Sequence, residues 1–109
     1  MLEPIFGSTN RERVLIFILA REQGYAREMA RFFDTGLAPI QQQLENLEAG
    51  GVLVSQKIGK TLQYSFNPRY PFLFELKALL ERTLDFYPAD QRNPLLMNRR
   101  RPRRAGKPL

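Results

Sequence analysis

The sequence of 109 residues contains no cysteine and no histidine. The lack of thiols excludes a disulfide framework, and without thiols or imidazoles the usual zinc sites and Cys- or His-dependent catalysis are excluded as well. Carboxylate metal sites stay open in principle, but the acidic residues form no cluster along the chain. We therefore expect neither a metal ion nor a cofactor.

The sequence also has no long hydrophobic run, since the longest, residues 14–20, has seven members. Roughly 20 apolar residues are needed to cross a bilayer. The first residues include Glu3 rather than a basic region, and no small-residue cleavage site follows the run, so the pattern is not that of a signal peptide. We expect a cytoplasmic protein with no membrane partner.

The net positive charge of +6 is confined to one end of the chain. Basic and acidic side chains balance within residues 1–87, whereas residues 88–109 contain seven basic side chains against Asp90. The length and the hydrophobic fraction of 43% suit one packed domain. We predict a single domain over residues 1–87, followed by a basic, Arg-rich flexible tail over residues 88–109 that is disordered in isolation.

Helical spacing of apolar residues dominates the first half of the chain. A first helix opens near Ser8 and runs to about Gly24, a short second helix covers about 26–33, and a third covers about 37–50. The first helix has more apolar side chains than one core face uses. It is therefore either a buried central helix or one with a surface for a partner.

The pattern changes to strands after the third helix. Residues 52–58 and 61–66 are rich in β-branched and aromatic side chains with partial alternation, and Gly59 with Lys60 provides a turn. These features predict a β-hairpin. A last helix is predicted over about 71–86, whose apolar residues cover an arc of about 160°, wider than the roughly 100° of one core contact.

Three motifs in this order resemble those of ArsR/MarR-like bacterial regulators. The segment YAREMAR at 25–31 resembles their x-x-R-E-L-A-R second helix. LENLEAGGVL at 44–53 is similar to their L-x-x-L-x-x-A-G-L-V transition from recognition helix to wing, and KIGKTLQYSFNP at 57–68 to their R-x-G-R-x-x-Y-Y-x-L-N-P wing. The expected fold is mainly α with a β-hairpin: a winged helix-turn-helix over about residues 5–86, with an extra C-terminal helix and a disordered basic tail.

The resemblance implies a homodimeric transcription regulator, with the third helix in the major groove of double-stranded DNA and the wing on the backbone. Matched position by position, the groove-facing residues are Gln41, Gln42 and Gln43, and the wing residues are Lys57 and Lys60. Glutamine can bond bidentately to adenine, and lysine can neutralise a phosphate. The alternative for the three glutamines is an ordinary solvated helix face.

The predicted recognition segment is unusual in its charge. No basic residue lies between Arg31 and Lys57, whereas Asp34, Glu45 and Glu48 are acidic. An approach to phosphates favours the opposite sign. The tail can compensate for this negative charge, because five arginines within residues 99–104 can bind phosphates or enter the minor groove. A solubilising tail, or one that binds RNA or an acidic protein, is the alternative. The five arginines are Arg99, Arg100, Arg101, Arg103 and Arg104.

Excess apolar surface on the first and last helices predicts a homodimer, because a monomer of this size that exposed it would be poorly soluble. The residues expected at the dimer interface are Ile16, Phe17, Phe72, Leu76, Leu79, Leu80 and Phe86.

The pattern therefore favours a sequence-specific DNA-binding transcriptional regulator. The alternative is a winged-helix protein-interaction adaptor whose basic tail binds RNA, DNA or an acidic partner. An enzyme is not expected, because the acidic residues of the domain fall on predicted helix exteriors. The aromatic residues either line an effector pocket or, as we favour, pack in the core; they are Phe32, Phe33, Phe72, Phe74 and Phe86.

Overall fold

Six helices and a small antiparallel sheet make up the structure, a computed structural model that describes residues 1–97. The helices are α1 (Glu3–Phe6), α2 (Thr9–Arg21), α3 (Ala26–Phe32), α4 (Leu37–Ala49), α5 (Leu73–Asp85) and α6 (Ala89–Met97). The strands are β1 (Gly24–Tyr25), β2 (Leu53–Ile58) and β3 (Thr61–Phe66). The four helices and the hairpin expected from the sequence are confirmed, whereas α1, β1 and α6 were not predicted.

Helix α2 is the centre of the fold. It begins at the N-cap Ser8, whose side-chain oxygen accepts a hydrogen bond from the backbone N–H of Arg11. Four of its apolar side chains are fully buried: Val14, Ile16, Phe17 and Ile18. Because α1, α4, α5, α6 and the sheet all contact α2, its wide apolar surface is covered within one protomer. Of the two interpretations of this helix, the buried central helix is the correct one.

The sheet has the strand order β1-β3-β2, and both pairs are antiparallel. In the hairpin, Leu53 lies opposite Phe66 and Ile58 lies opposite Thr61, so the turn contains Gly59 and Lys60. Gly59 has a φ of 63°, which suits a residue without a Cβ. In β1, a Cβ at Gly24 would come within 2.8 Å of Phe17 and Met29 side-chain atoms, so glycine permits the strand to approach α2 closely.

Helix α6 shows that the predicted boundary after residue 87 is wrong. Leu95 is buried against the core, and α6 packs on α2. The guanidinium of Arg21 donates hydrogen bonds to the carbonyl oxygens of Leu95 at 3.2 Å and Pro94 at 3.1 Å. These bonds supply donors to carbonyl oxygens that have no intrahelical partner at the end of the helix. The folded part therefore includes residues 89–97, and the arginine run at 99–104 lies outside the described residues.

Glu12 departs from the expectation that acidic residues lie on helix exteriors. It is 3% exposed, and its carboxylate accepts hydrogen bonds from the Met1 ammonium at 2.9 Å, the Leu2 N–H at 2.7 Å and the Tyr87 hydroxyl. Burial alone raises the pKa of Glu12, but the bonds from Tyr87, Met1 and Leu2 outweigh burial and hold the pKa below its ordinary value. The carboxylate thus joins the chain start and Tyr87, two residues beyond α5, to α2.

The prediction of the dimer interface is wrong for three residues. Ile16, Phe17 and Leu80 are completely buried within one protomer, because α2 and α5 pack against each other. They therefore contribute no surface to a second subunit. Leu76 is half-buried against the same core. The other three remain exposed: Leu79 on α5 at 37%, and the cap residues on either side of α5, Phe72 at 63% and Phe86 at 64%.

We expect Glu12→Gln to lower stability at neutral pH by about 2 kcal/mol, because an amide accepts the three donors less well than a carboxylate. Because the pKa of Glu12 is lower in the folded than in the unfolded protein, the ionised carboxylate stabilises the fold above the ordinary pKa of 4.5. This contribution to the free energy of unfolding is lost as the pH falls below 4.5. Urea unfolding at pH 7 and pH 3.5 should therefore show a smaller loss on acidification for Glu12→Gln than for the wild type. Glu81→Gln, on the exposed side of α5, is the control. Equal acid sensitivity of Glu12→Gln and wild type would contradict this account.

Candidate nucleic-acid interface

Helix α4 presents an amide-rich face to solvent. The buried side chains Ile40, Leu44 and Leu47 follow helical spacing and fix how the helix is rotated on the core. Gln41 and Gln42 consequently point into solvent. The first eight residues of α4 contain no Asp, Glu, Lys or Arg, so the exposed groups of this half are neutral donors and acceptors.

Gln43 lies differently from the other two glutamines. It is half-buried at the edge of α4 that faces α2, and its side-chain oxygen accepts a hydrogen bond from Arg11 Nε at 2.8 Å. Gln42 Nε2 donates to Asn46 Oδ1 at 3.3 Å, one helical turn further on. Asn46, which the sequence analysis did not select, therefore belongs to the exposed amide face, and its i, i+4 spacing from Gln42 is the feature that identifies it.

Basic side chains from other elements flank α4. Arg11 reaches it from α2, and Arg27 and Arg31 are exposed on α3, the helix that precedes α4. In helix-turn-helix proteins the first helix crosses the DNA backbone, so cations on α3 suit that position. The sequence analysis did not identify Arg11, Arg27 or Arg31 as site residues. The motif at 25–31 contains two of them, whereas only the packing of α2 on α4 identifies Arg11.

The acidic residues of α4 lie in its C-terminal half, towards the sheet. Glu48 Oε2 accepts a hydrogen bond of 2.6 Å from Ser55 Oγ on β2. Burial raises the pKa of the Tyr64 hydroxyl on β3, and the charges of Glu48 and Glu45 raise it further. Glu45 lies one helical turn beyond Gln41 on the exposed side of α4, and Glu48 binds the base of the wing.

The hairpin projects both predicted wing lysines into solvent. Lys57 lies opposite Leu62 near the end of β2, and Lys60 is in the turn. Since side chains alternate along a strand, Lys57 shares a sheet face with Ser55, which contacts α4 through Glu48. The cation at position 57 thus lies on the face of the wing that continues from α4.

The predicted aromatic set divides between two parts of the molecule. Phe32 and Phe33 line a half-open cavity of about 500 Å³ between α2, α3 and α6, together with Arg13 and Tyr87. Their rings pack edge to face with centroids 4.9 Å apart, and Phe32 packs likewise on Phe17. The other three aromatics are exposed on α5 or at its two caps, so the core role favoured for them is wrong: Phe72, Phe74 and Phe86.

Within residues 1–97 there is no group of three or more acidic side chains placed to hold a metal ion. In the same part of the chain, no helix has both the length and the apolar character needed to cross a membrane.

No protein-family model and no curated protein matches this chain. Solved structures that share its arrangement include reduced HlyU from Vibrio cholerae, with 19% identity, a TM-score of 0.61 and coverage of 79% of this chain and 84% of that chain. An apo variant of ZitR from Lactococcus lactis has 16% identity, a TM-score of 0.54 and coverage of 77% and 67%. The adhesin competence repressor AdcR from Streptococcus pyogenes has 13% identity, a TM-score of 0.51 and coverage of 86% and 79%. The chain therefore has the winged helix-turn-helix fold that its resemblance to ArsR/MarR-like regulators predicts.

Proposed function

We propose that this protein is a sequence-specific DNA-binding transcriptional regulator. The observation that carries the proposal is the pair of exposed glutamines in the charge-free N-terminal half of α4, with Arg11 of α2 bonded to the same helix and Lys57 and Lys60 exposed on the wing. A helix of this kind suits the major groove, where amides read base edges. The surrounding cations suit the phosphates on either side.

The chemistry of these side chains assigns some of them to bases and others to phosphates. Gln41 and Gln42 are exposed and are assigned to base edges, since an amide both donates and accepts hydrogen bonds. Lys57, Lys60 and Arg11 are assigned to phosphates, where they give affinity and register but little sequence information. The role in transcription is supported by the fold shared with the adhesin competence repressor.

The basic tail is assigned to the DNA backbone or the minor groove. Arg21 binds the end of α6 and lies 3.7 Å from Glu28 on α3, so α6 ends beside the helix-turn-helix unit. The first arginine of the run, Arg99, is two residues beyond α6. The five arginines can therefore add affinity that does not depend on sequence.

The proposal includes a homodimer formed through α5. Phe72, Leu79 and Phe86 recur every seven residues and form one exposed stripe, with Glu75 and Arg82 between them. If two copies of α5 run antiparallel with Leu79 at the centre, Phe72 faces Phe86 of the partner subunit and Glu75 faces Arg82 of the partner subunit. A two-fold interface requires such self-complementarity, and this stripe has it in both shape and charge.

We expect Gln42→Ala to weaken binding to the specific site by about 1–3 kcal/mol, because a base contact is lost, and to change binding to random duplex little. The site is first obtained by selection from random DNA with the full chain, and titrations then compare both duplexes. Gln91→Ala, which removes an exposed amide on α6, is the matched control. If the wild type selects no sequence and its folded part does not bind duplex, the adaptor alternative replaces the proposal.

Replacing the five arginines of residues 99–104 by glutamine should weaken binding to all duplexes alike. Each arginine that contacts a phosphate adds about 0.9 to the magnitude of the slope of log K against log salt concentration, so the slope should fall accordingly. Titrations at several salt concentrations with one specific and one random duplex measure both quantities. An unchanged affinity at low salt would show that the tail does not contact DNA.

Leu79→Asp should convert the dimer to a monomer that stays folded, because Leu79 is partly exposed. Sedimentation velocity measures the change, and Phe74→Asp, an 82% exposed position on another side of α5, should leave the dimer intact. Glu75→Arg and Arg82→Glu should each weaken the dimer, and the double variant should restore it. A wild-type monomer at micromolar concentration would refute this interface.

A further inference from the structure

The hydrogen bond between Arg11 and Gln43 joins two elements of the candidate interface. Arg11 is held in place itself, since its backbone N–H bonds to the Ser8 side chain and its guanidinium reaches the Phe6 carbonyl oxygen at 3.5 Å. Its Nε then donates to Gln43 Oε1 at 2.8 Å. Both side chains are half-buried, which limits competition from water.

The chemistry of arginine determines how the Gln43 amide is oriented. A guanidinium has donors and no acceptor, so it can bind the amide oxygen but not the amide nitrogen. The oxygen of Gln43 is therefore turned towards α2, and the NH₂ group is the end left to face a ligand of α4. A second lone pair remains on the oxygen, but it lies beside a cation, which disfavours the positively polarised amino group of adenine.

We propose that Arg11 makes Gln43 a hydrogen-bond donor towards DNA, so that Gln43 selects a keto base, guanine or thymine. In the major groove guanine presents the acceptors O6 and N7 and thymine the acceptor O4, whereas cytosine presents the N4 donor and adenine has its N6 donor beside the acceptor N7. An unrestrained glutamine, in contrast, bonds bidentately to adenine, which is the contact the sequence predicted for all three glutamines. Arg11 is thus a positioning residue for specificity. The inference rests on the proposed DNA-binding function.

Selection from random duplexes with the full chain tests the inference. The wild type should favour guanine or thymine over adenine by about tenfold at one position of its site. In Arg11→Met the amide is free to turn, so adenine should rise about tenfold relative to the keto bases at that position, with the others unchanged. Gln43→Met should abolish the preference there, and Arg11→Lys, which still donates to the amide oxygen, should retain it.

Arg13→Met is the matched control, since Arg13 is also a half-buried arginine of α2 but contacts Asn10 and the Phe33 ring instead of α4. It should leave the base preferences unchanged. The proposal is overturned if Arg11→Met retains the wild-type preferences, or if Gln43→Met weakens binding to all sequences equally, as a purely structural role predicts. A wild type that selects no sequence would instead refute the proposed function, and this is seen before any variant is compared.

Discussion

The enclosure of α2 is the constraint on which the rest of the structure depends. A single helix with apolar side chains on nearly all sides must be covered by other elements, and here four helices and the sheet contact it. Its polar side chains then decide where these elements lie. Arg11 binds α4, Glu12 binds the chain start and Tyr87 just beyond α5, and Arg21 binds the end of α6. Packing therefore holds the domain together, while three side chains at its margins orient the elements of the candidate interface.

The same arrangement explains how a nearly neutral domain can present the cationic side chains that we propose contact DNA. The acidic side chains of α4 are confined to its C-terminal half, and Glu48 is bonded to the wing. Arg11 of α2 is bonded to Gln43 in the other half, and α3 and the hairpin expose further cations, so the local charge differs from that of the helix alone. Charge counted along a segment is a poor guide to the electrostatics of a surface when neighbouring elements contribute side chains to it.

Helix α5 contrasts with α2, because one of its faces stays uncovered. Leu80 and Leu84 pack on the core, whereas Phe72, Leu79 and Phe86 form a stripe that the protomer leaves in solvent. The sequence correctly predicts that the apolar arc of α5 is wider than one core contact requires. On α2 the same reasoning failed for Ile16 and Phe17, because the number of elements that cover a helix cannot be counted from its own residues.

The sequence by itself determined the order of the helices, the hairpin with its turn at Gly59 and the resemblance to winged helix-turn-helix regulators. These features depend on residue periodicity and turn chemistry within a few positions. Tertiary structure alone decided that residues 89–97 pack as a helix, that Glu12 is buried, and that Arg11 meets Gln43 across 32 positions of sequence. Each of these depends on contacts between residues far apart in the chain, which propensity and spacing do not encode.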